Sequence, residues 1–147
     1  MTDSEASRSP DTLRRALTYV TGAAMVAVGV LHFVSPAPFE RIVPPYLPGA
    51  YWLVLLSGAA EIALGSALFV TSTRWLGAWG LVALYVAVFP ANLHMAMNHV
   101  SLTADAPPPP TWALLVRLPM QLVLIANAVW IARGASRPQW LKGQKSG

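Results

Sequence analysis

The sequence predicts an all-α protein: a four-transmembrane-helix bundle with both termini cytoplasmic. Three observations carry that expectation. Of 147 residues, 55% are hydrophobic and 11% charged, whereas soluble domains carry about 25% charged residues. Several apolar runs approach the roughly 20 residues that cross a hydrocarbon core about 30 Å thick. The basic residues collect beside those runs, on the loops that the retention of positive charge keeps cytoplasmic. A net charge of +4 is therefore a matter of topology, and no nucleic-acid partner is expected. The chain has no cysteine, which excludes disulfides, thiolate metal sites and a thiol relay within it.

Residues 1–16, MTDSEASRSPDTLRRA, are polar and Ser-rich and read as a disordered cytoplasmic tail. The first span, 17–34, exceeds the roughly 7 to 15 residues of a signal-peptide core and has no small-x-small site after it, so it reads as retained. The outer loop SPAPFERIVPPYLPGA is stiffened by five prolines. Its Phe39, Ile42, Val43, Tyr46 and Leu47 suit the interface while Glu40 and Arg41 stay wet, and it reads as a fixed plug over the bundle. The second span is 51–70, the third 75–96 and the fourth 112–132, each near the length a bilayer requires. PPPP at 107–110 is an extended spacer, and 133–147 is a basic cytoplasmic tail.

Orientation follows from Arg8, Arg14 and Arg15 before the first span, Arg74 in the turn TSTR, and Arg133, Arg137, Lys142 and Lys145 after the fourth. All belong on the cytoplasmic side of the plasma membrane. Tyr19, Trp75, Trp79 and Trp130 then fall near the inner interface, and Tyr51, Trp52 and Trp112 near the outer one. Spans 1 and 2 share a faint pattern, Gly22-Ala23-Ala24, Ala27, Gly29 and Phe33 against Gly58-Ala59-Ala60, Ala63, Gly65 and Phe69. It reads as shared small-residue packing chemistry.

One carboxylate, Glu61, interrupts the apolar run LLSGAAEIALGSALF. Ionised and alone in hydrocarbon it would cost several kcal/mol, so it must be protonated, hydrated or paired. The expected partner is Arg117, directly or through Gln121 or water. At about 1.5 Å per residue, Arg117 lies about 7 to 8 Å below the outer surface and Glu61 about 15 Å below it, so the two backbones are not level. His32, Asn92 and His94 share the outer half. Pro90 removes one ladder bond and frees the Val86 carbonyl, and Pro119 alters the last helix near Arg117. Asn92 is expected to point inward; the direction of His94 stays open. A polar pocket in the outer half results. His32 and His94 read first as histidines bonded to backbone or water. The Glu61–Arg117 pair serves helix register or ligand contact equally. No set of metal ligands stands out.

The combination GVLHFVSPAPFERIVPPYLP, SGAAEIALG, VFPANLHMA and RLPMQ, covering about residues 20–131, resembles the DoxX-like family of small bacterial four-helix membrane proteins. The positions carried by the resemblance are His32, Pro44, Pro45, Glu61, Pro90, Asn92, His94, Arg117, Pro119 and Gln121. It implies a membrane subunit of a quinone-linked redox system, with Arg117, Gln121 or a histidine bonding quinone carbonyls, Glu61 exchanging protons, and electrons supplied by a partner protein. The alternatives are a non-catalytic assembly or small-molecule-binding protein and, third, a proton-linked transporter that needs a homo-oligomer to enclose its path. The sequence itself shows no cofactor motif.

Overall fold

A computed structural model describes residues 3–103, 107 and 109–137, with side chains from residue 11 onward. The elements are α1 (Asp3–Val34), α2 (Ala37–Ile42), α3 (Ala50–Phe69), α4 (Arg74–Asn98) and α5 (Thr111–Gly134), with no strand among the described residues. Four helices are long and apolar enough to cross a membrane, α1 over Asp11–Val34 and α3, α4 and α5 over their whole lengths. The chain is an all-helical, multi-pass membrane protein with lipid-facing helices.

The expected spans and the observed helices agree within two residues for α3, α4 and α5. Two segments differ. The helix of the first span runs back to Asp3, through the stretch read as a disordered tail. Extending a helix costs little once an apolar span has nucleated it. The proline-rich loop 35–50 also contains a helix, α2, where the sequence reads as a fixed plug. Pro38 falls in its first turn, where a missing N–H costs nothing. The turn ends with Val43 donating to the Glu40 carbonyl at 3.1 Å, and Pro44 and Pro45 prevent further helix. The basic-tail positions Lys142 and Lys145 lie outside the described residues.

Glycines set how closely α1 and α3 approach. Gly22 faces Gly65, and Gly29 faces Gly58, in antiparallel register; a Cβ on Gly29 would lie 2.6 Å from the Gly58 carbonyl oxygen. The faint likeness between the first two spans is thus two halves of one contact. Close backbone approach is how helices gain attraction where lipid supplies no hydrophobic drive. Gly77 of α4 meets α3 in the same way, at the Leu64 carbonyl and Ala67. The turn from α3 to α4 is closed by Arg74, whose Nε donates to the Leu68 carbonyl at 2.9 Å, and by the Thr73 hydroxyl, which donates to the Ala67 carbonyl at 3.0 Å. These bonds satisfy the last carbonyls of α3.

Two apolar clusters fill the bundle. Leu68, Leu81, Tyr85 and Ile131 centre one half, and Met95, Ala96 and Leu114, with Ile42 of α2 against them, centre the other. Asn127 of α5 donates to the Thr21 hydroxyl of α1 at 2.8 Å, which joins the first and last helices. Leu56, Val86, Leu122 and Val123 point outward and are exposed, as lipid-facing side chains must be. Between the two clusters the packing is incomplete, and the polar residues collect there.

Candidate functional site

The Gly29–Gly58 contact places His32 of α1 beside Glu61 of α3. His32 Nδ1 lies 2.8 Å from the Val28 carbonyl oxygen one turn back and 3.2 Å from Glu61 Oε2. A carbonyl can only accept, so Nδ1 carries the hydrogen and donates it to Val28. That bond leaves the carboxylate in electrostatic contact without an aligned hydrogen bond: Glu61 Oε2 is buried and has no hydrogen-bond partner. The imidazole is itself buried, and the ring of Phe39 in α2 stacks on it with centroids 3.8 Å apart and planes at 21°.

This arrangement corrects the expected partner of Glu61. The neighbouring side chain is His32, because two facing glycines bring α1 against α3 at this level. Arg117 lines the same cavity, half-buried, with no hydrogen bond or ion pair to any of the described residues.

The cavity has a volume of about 550 Å³, within the range of small-molecule sites. Its walls are mainly apolar, from Val28, Val54, Leu84 and Val88, and the polar groups on it include His32, Glu61, Ser57, Asn92 and Arg117. Phe39, Ile42, Val43, Pro44 and Leu47, from α2 and the loop after it, cover one end. Leu56 and Ala87 belong both to the cavity wall and to the exposed surface, so it reaches the lipid-facing side between α3 and α4.

Gln121 is no relay between Glu61 and Arg117. Its Oε1 accepts from Asn92 Nδ2 at 2.7 Å, and its Nε2 donates to the Tyr85 carbonyl oxygen. The carbonyl bonded by a side chain is thus Tyr85, one residue before the expected Val86. Proline loosens the turn that precedes it, and the Tyr85 carbonyl is the one within reach of α5. Gln121 is 3% exposed, so these two bonds fix α4 against α5. His94 is absent from the cavity wall; its Nδ1 donates to the Ile42 carbonyl at 3.2 Å and ties α2 to α4. Pro90 lines the cavity and Pro119 lies on the exposed face of α5, both inside continuous helices.

Six candidate residues thus divide. His32, Glu61, Asn92 and Arg117 meet at the cavity, Gln121 supports Asn92 from behind, and His94 holds the cover. The sequence puts Ser57 one turn from Glu61 on the same helix face and Phe39 in the plug, without naming either as a site residue. Phe39 could be found only with α2 in place. Chemically, the cavity offers one unused carboxylate acceptor, one guanidinium with unused donors and an apolar chamber open to lipid. No group of three metal-ligating side chains occurs among the described residues.

Residues 21–132 match the family model described as Domain of unknown function (DUF8561). No curated protein and no solved structure matches the chain.

Proposed function

The chain belongs to the DUF8561 family, and we propose that in this member the cavity binds a lipophilic small molecule with a hydrogen-bonding head group, a quinone being the class that fits best. The observation that carries this reading is the buried, unbonded Glu61 Oε2 on an apolar cavity wall that also holds Arg117. A buried polar atom without a partner is costly, and a purely structural pair would satisfy both groups. In this reading the head group contacts both. Arg117 donates to one carbonyl or hydroxyl oxygen, and Glu61, beside His32, accepts from a hydroxyl or donates when protonated. A bound quinone supplies two-electron, two-proton chemistry; the resemblance to DoxX-like proteins supports the same class, with the electron donor on a partner protein.

Both termini face the cytoplasm in this reading, since Arg14, Arg15, Arg74, Arg133 and Arg137 all lie at the end of the bundle away from α2. The head-group end of the cavity then lies in the outer leaflet of the plasma membrane. The non-catalytic alternative has an observation of its own: the Asn92–Gln121–Tyr85 bonds are complete and serve packing.

The test is titration of the purified full chain with a short-chain quinone, followed by tryptophan fluorescence. Saturable binding that weakens at least about tenfold in Arg117→Gln and Glu61→Gln supports the reading, a tenfold change being about 1.4 kcal/mol, the scale of one charge-assisted hydrogen bond. Binding that both variants retain unchanged removes it.

A further inference from the structure

At the other end of the bundle the geometry points to a second site, one that holds a phosphate group, presented by an anionic lipid head group or as free phosphate. It does not depend on the ligand of the Glu61 cavity. A hollow of about 220 Å³ lies where α1 passes the start of α4 and the end of α5, lined by Arg14, Arg15, Arg74 and a single carboxylate, Asp11. Three guanidinium groups against one carboxylate leave an excess of positive charge around it.

The arginines keep donors in reserve. Arg74 uses Nε on the Leu68 carbonyl. Arg14 Nη1 stands 3.6 Å from Asp11 Oδ1, beyond hydrogen-bond length; Arg14 Nε is buried against Gly134, so the outer guanidinium nitrogens are the ones a ligand reaches. The Arg14 guanidinium is held in place by packing. It lies 5.0 Å from the centroid of the Trp130 ring, and it occupies the room left by Gly134, where a Cβ would collide with it. A planar guanidinium held in place, with further guanidinium groups beside it, matches the bidentate recognition of phosphate oxygens. Basic pockets between transmembrane helices near the membrane surface bind lipid head groups for the same reason. The exposed rings of Tyr19 and Phe69 stack 5.9 Å apart, with the Arg74 guanidinium 5.8 Å from the Tyr19 ring, and offer an apolar flank for an acyl chain.

Positive charge at this end is explained by topology alone. Topology does not require a hollow between the guanidinium groups.

Native mass spectrometry of the full chain, from micelles holding phosphatidylglycerol and phosphatidylcholine in equal amounts, tests the site. Phosphatidylglycerol is retained preferentially. Arg15→Gln weakens the preference about fivefold, and Asp11→Asn, which removes the competing carboxylate, strengthens it by a similar factor. Both positions are exposed, so neither change disturbs packing. Inorganic phosphate at millimolar concentration then assigns the source. If it displaces the lipid or binds alone, the group is free phosphate; if it does neither, the lipid supplies it. Equal retention of both lipids without phosphate binding overturns the proposal, as does a preference that either variant leaves unchanged.

Discussion

Replacing Gly29 with alanine puts a methyl group into the α1–α3 contact at its narrowest level. The new Cβ would lie 2.6 Å from the Gly58 carbonyl oxygen and 3.0 Å from the Ile62 amide nitrogen, backbone atoms that no rotamer can withdraw. Ordinary contact begins near 3.4 Å, so the helices must separate by up to about 0.8 Å here. Overpacking of this kind costs about 1 to 3 kcal/mol, against about 1 kcal/mol gained from the helix propensity of alanine over glycine. A net destabilisation of about 0 to 2 kcal/mol follows. Gly80→Ala is the control, because there the obstacle is the end of the Leu64 side chain, which can rotate away. The separation also disturbs the 3.2 Å approach of His32 to Glu61 one turn away, so quinone affinity falls together with stability. Reversible unfolding of the full chain in mixed micelles reads the first effect and the fluorescence titration the second. If Gly29→Ala proves as stable as Gly80→Ala, the glycine contact does not set the helix spacing.

Gln121→Leu leaves the Asn92 amide and the Tyr85 carbonyl without their partner and should cost about 1 to 3 kcal/mol in the same unfolding assay; an unchanged midpoint would mean that these bonds contribute nothing. His94→Phe removes the tether on the Ile42 carbonyl, worth about 0.5 to 1.5 kcal/mol. Hydrogen exchange over residues 37–42 should accelerate severalfold while α3 is unaffected, and equal exchange in wild type and variant would dismiss the tether. Arg117→Gln should leave the unfolding midpoint within about 0.5 kcal/mol, since Arg117 bonds to none of the described residues; a larger loss of stability would assign it a structural role.

Hydropathy and length alone located the four spans, because a bilayer imposes a single requirement on each. What they could not supply is depth and partner. Glu61 was visible as a lone acid, and His32 as a polar group near the same end, yet their approach depends on the antiparallel match of Gly29 with Gly58, which appears in the sequence only as two similar small-residue patterns. Arg117 is visible as the cation inside the fourth span, but the sequence does not show that it lines the cavity without pairing with Glu61. Gln121 is visible as a polar group one turn from Arg117, but its bonds to Asn92 and the Tyr85 carbonyl depend on how α5 packs against α4. The helix α2 escaped notice because five prolines in sixteen residues suggest irregular chain, although proline is compatible with a first helical turn.

The central claim is that the Glu61 carboxyl meets a ligand inside the cavity. Infrared difference spectroscopy of the full chain in membranes, recorded on addition of a short-chain quinone, observes that group directly. A carboxyl band that shifts with saturable dependence on quinone, and is missing from Glu61→Gln, is the predicted result. A spectrum in which quinone binds and the carboxyl band stays still would contradict the account.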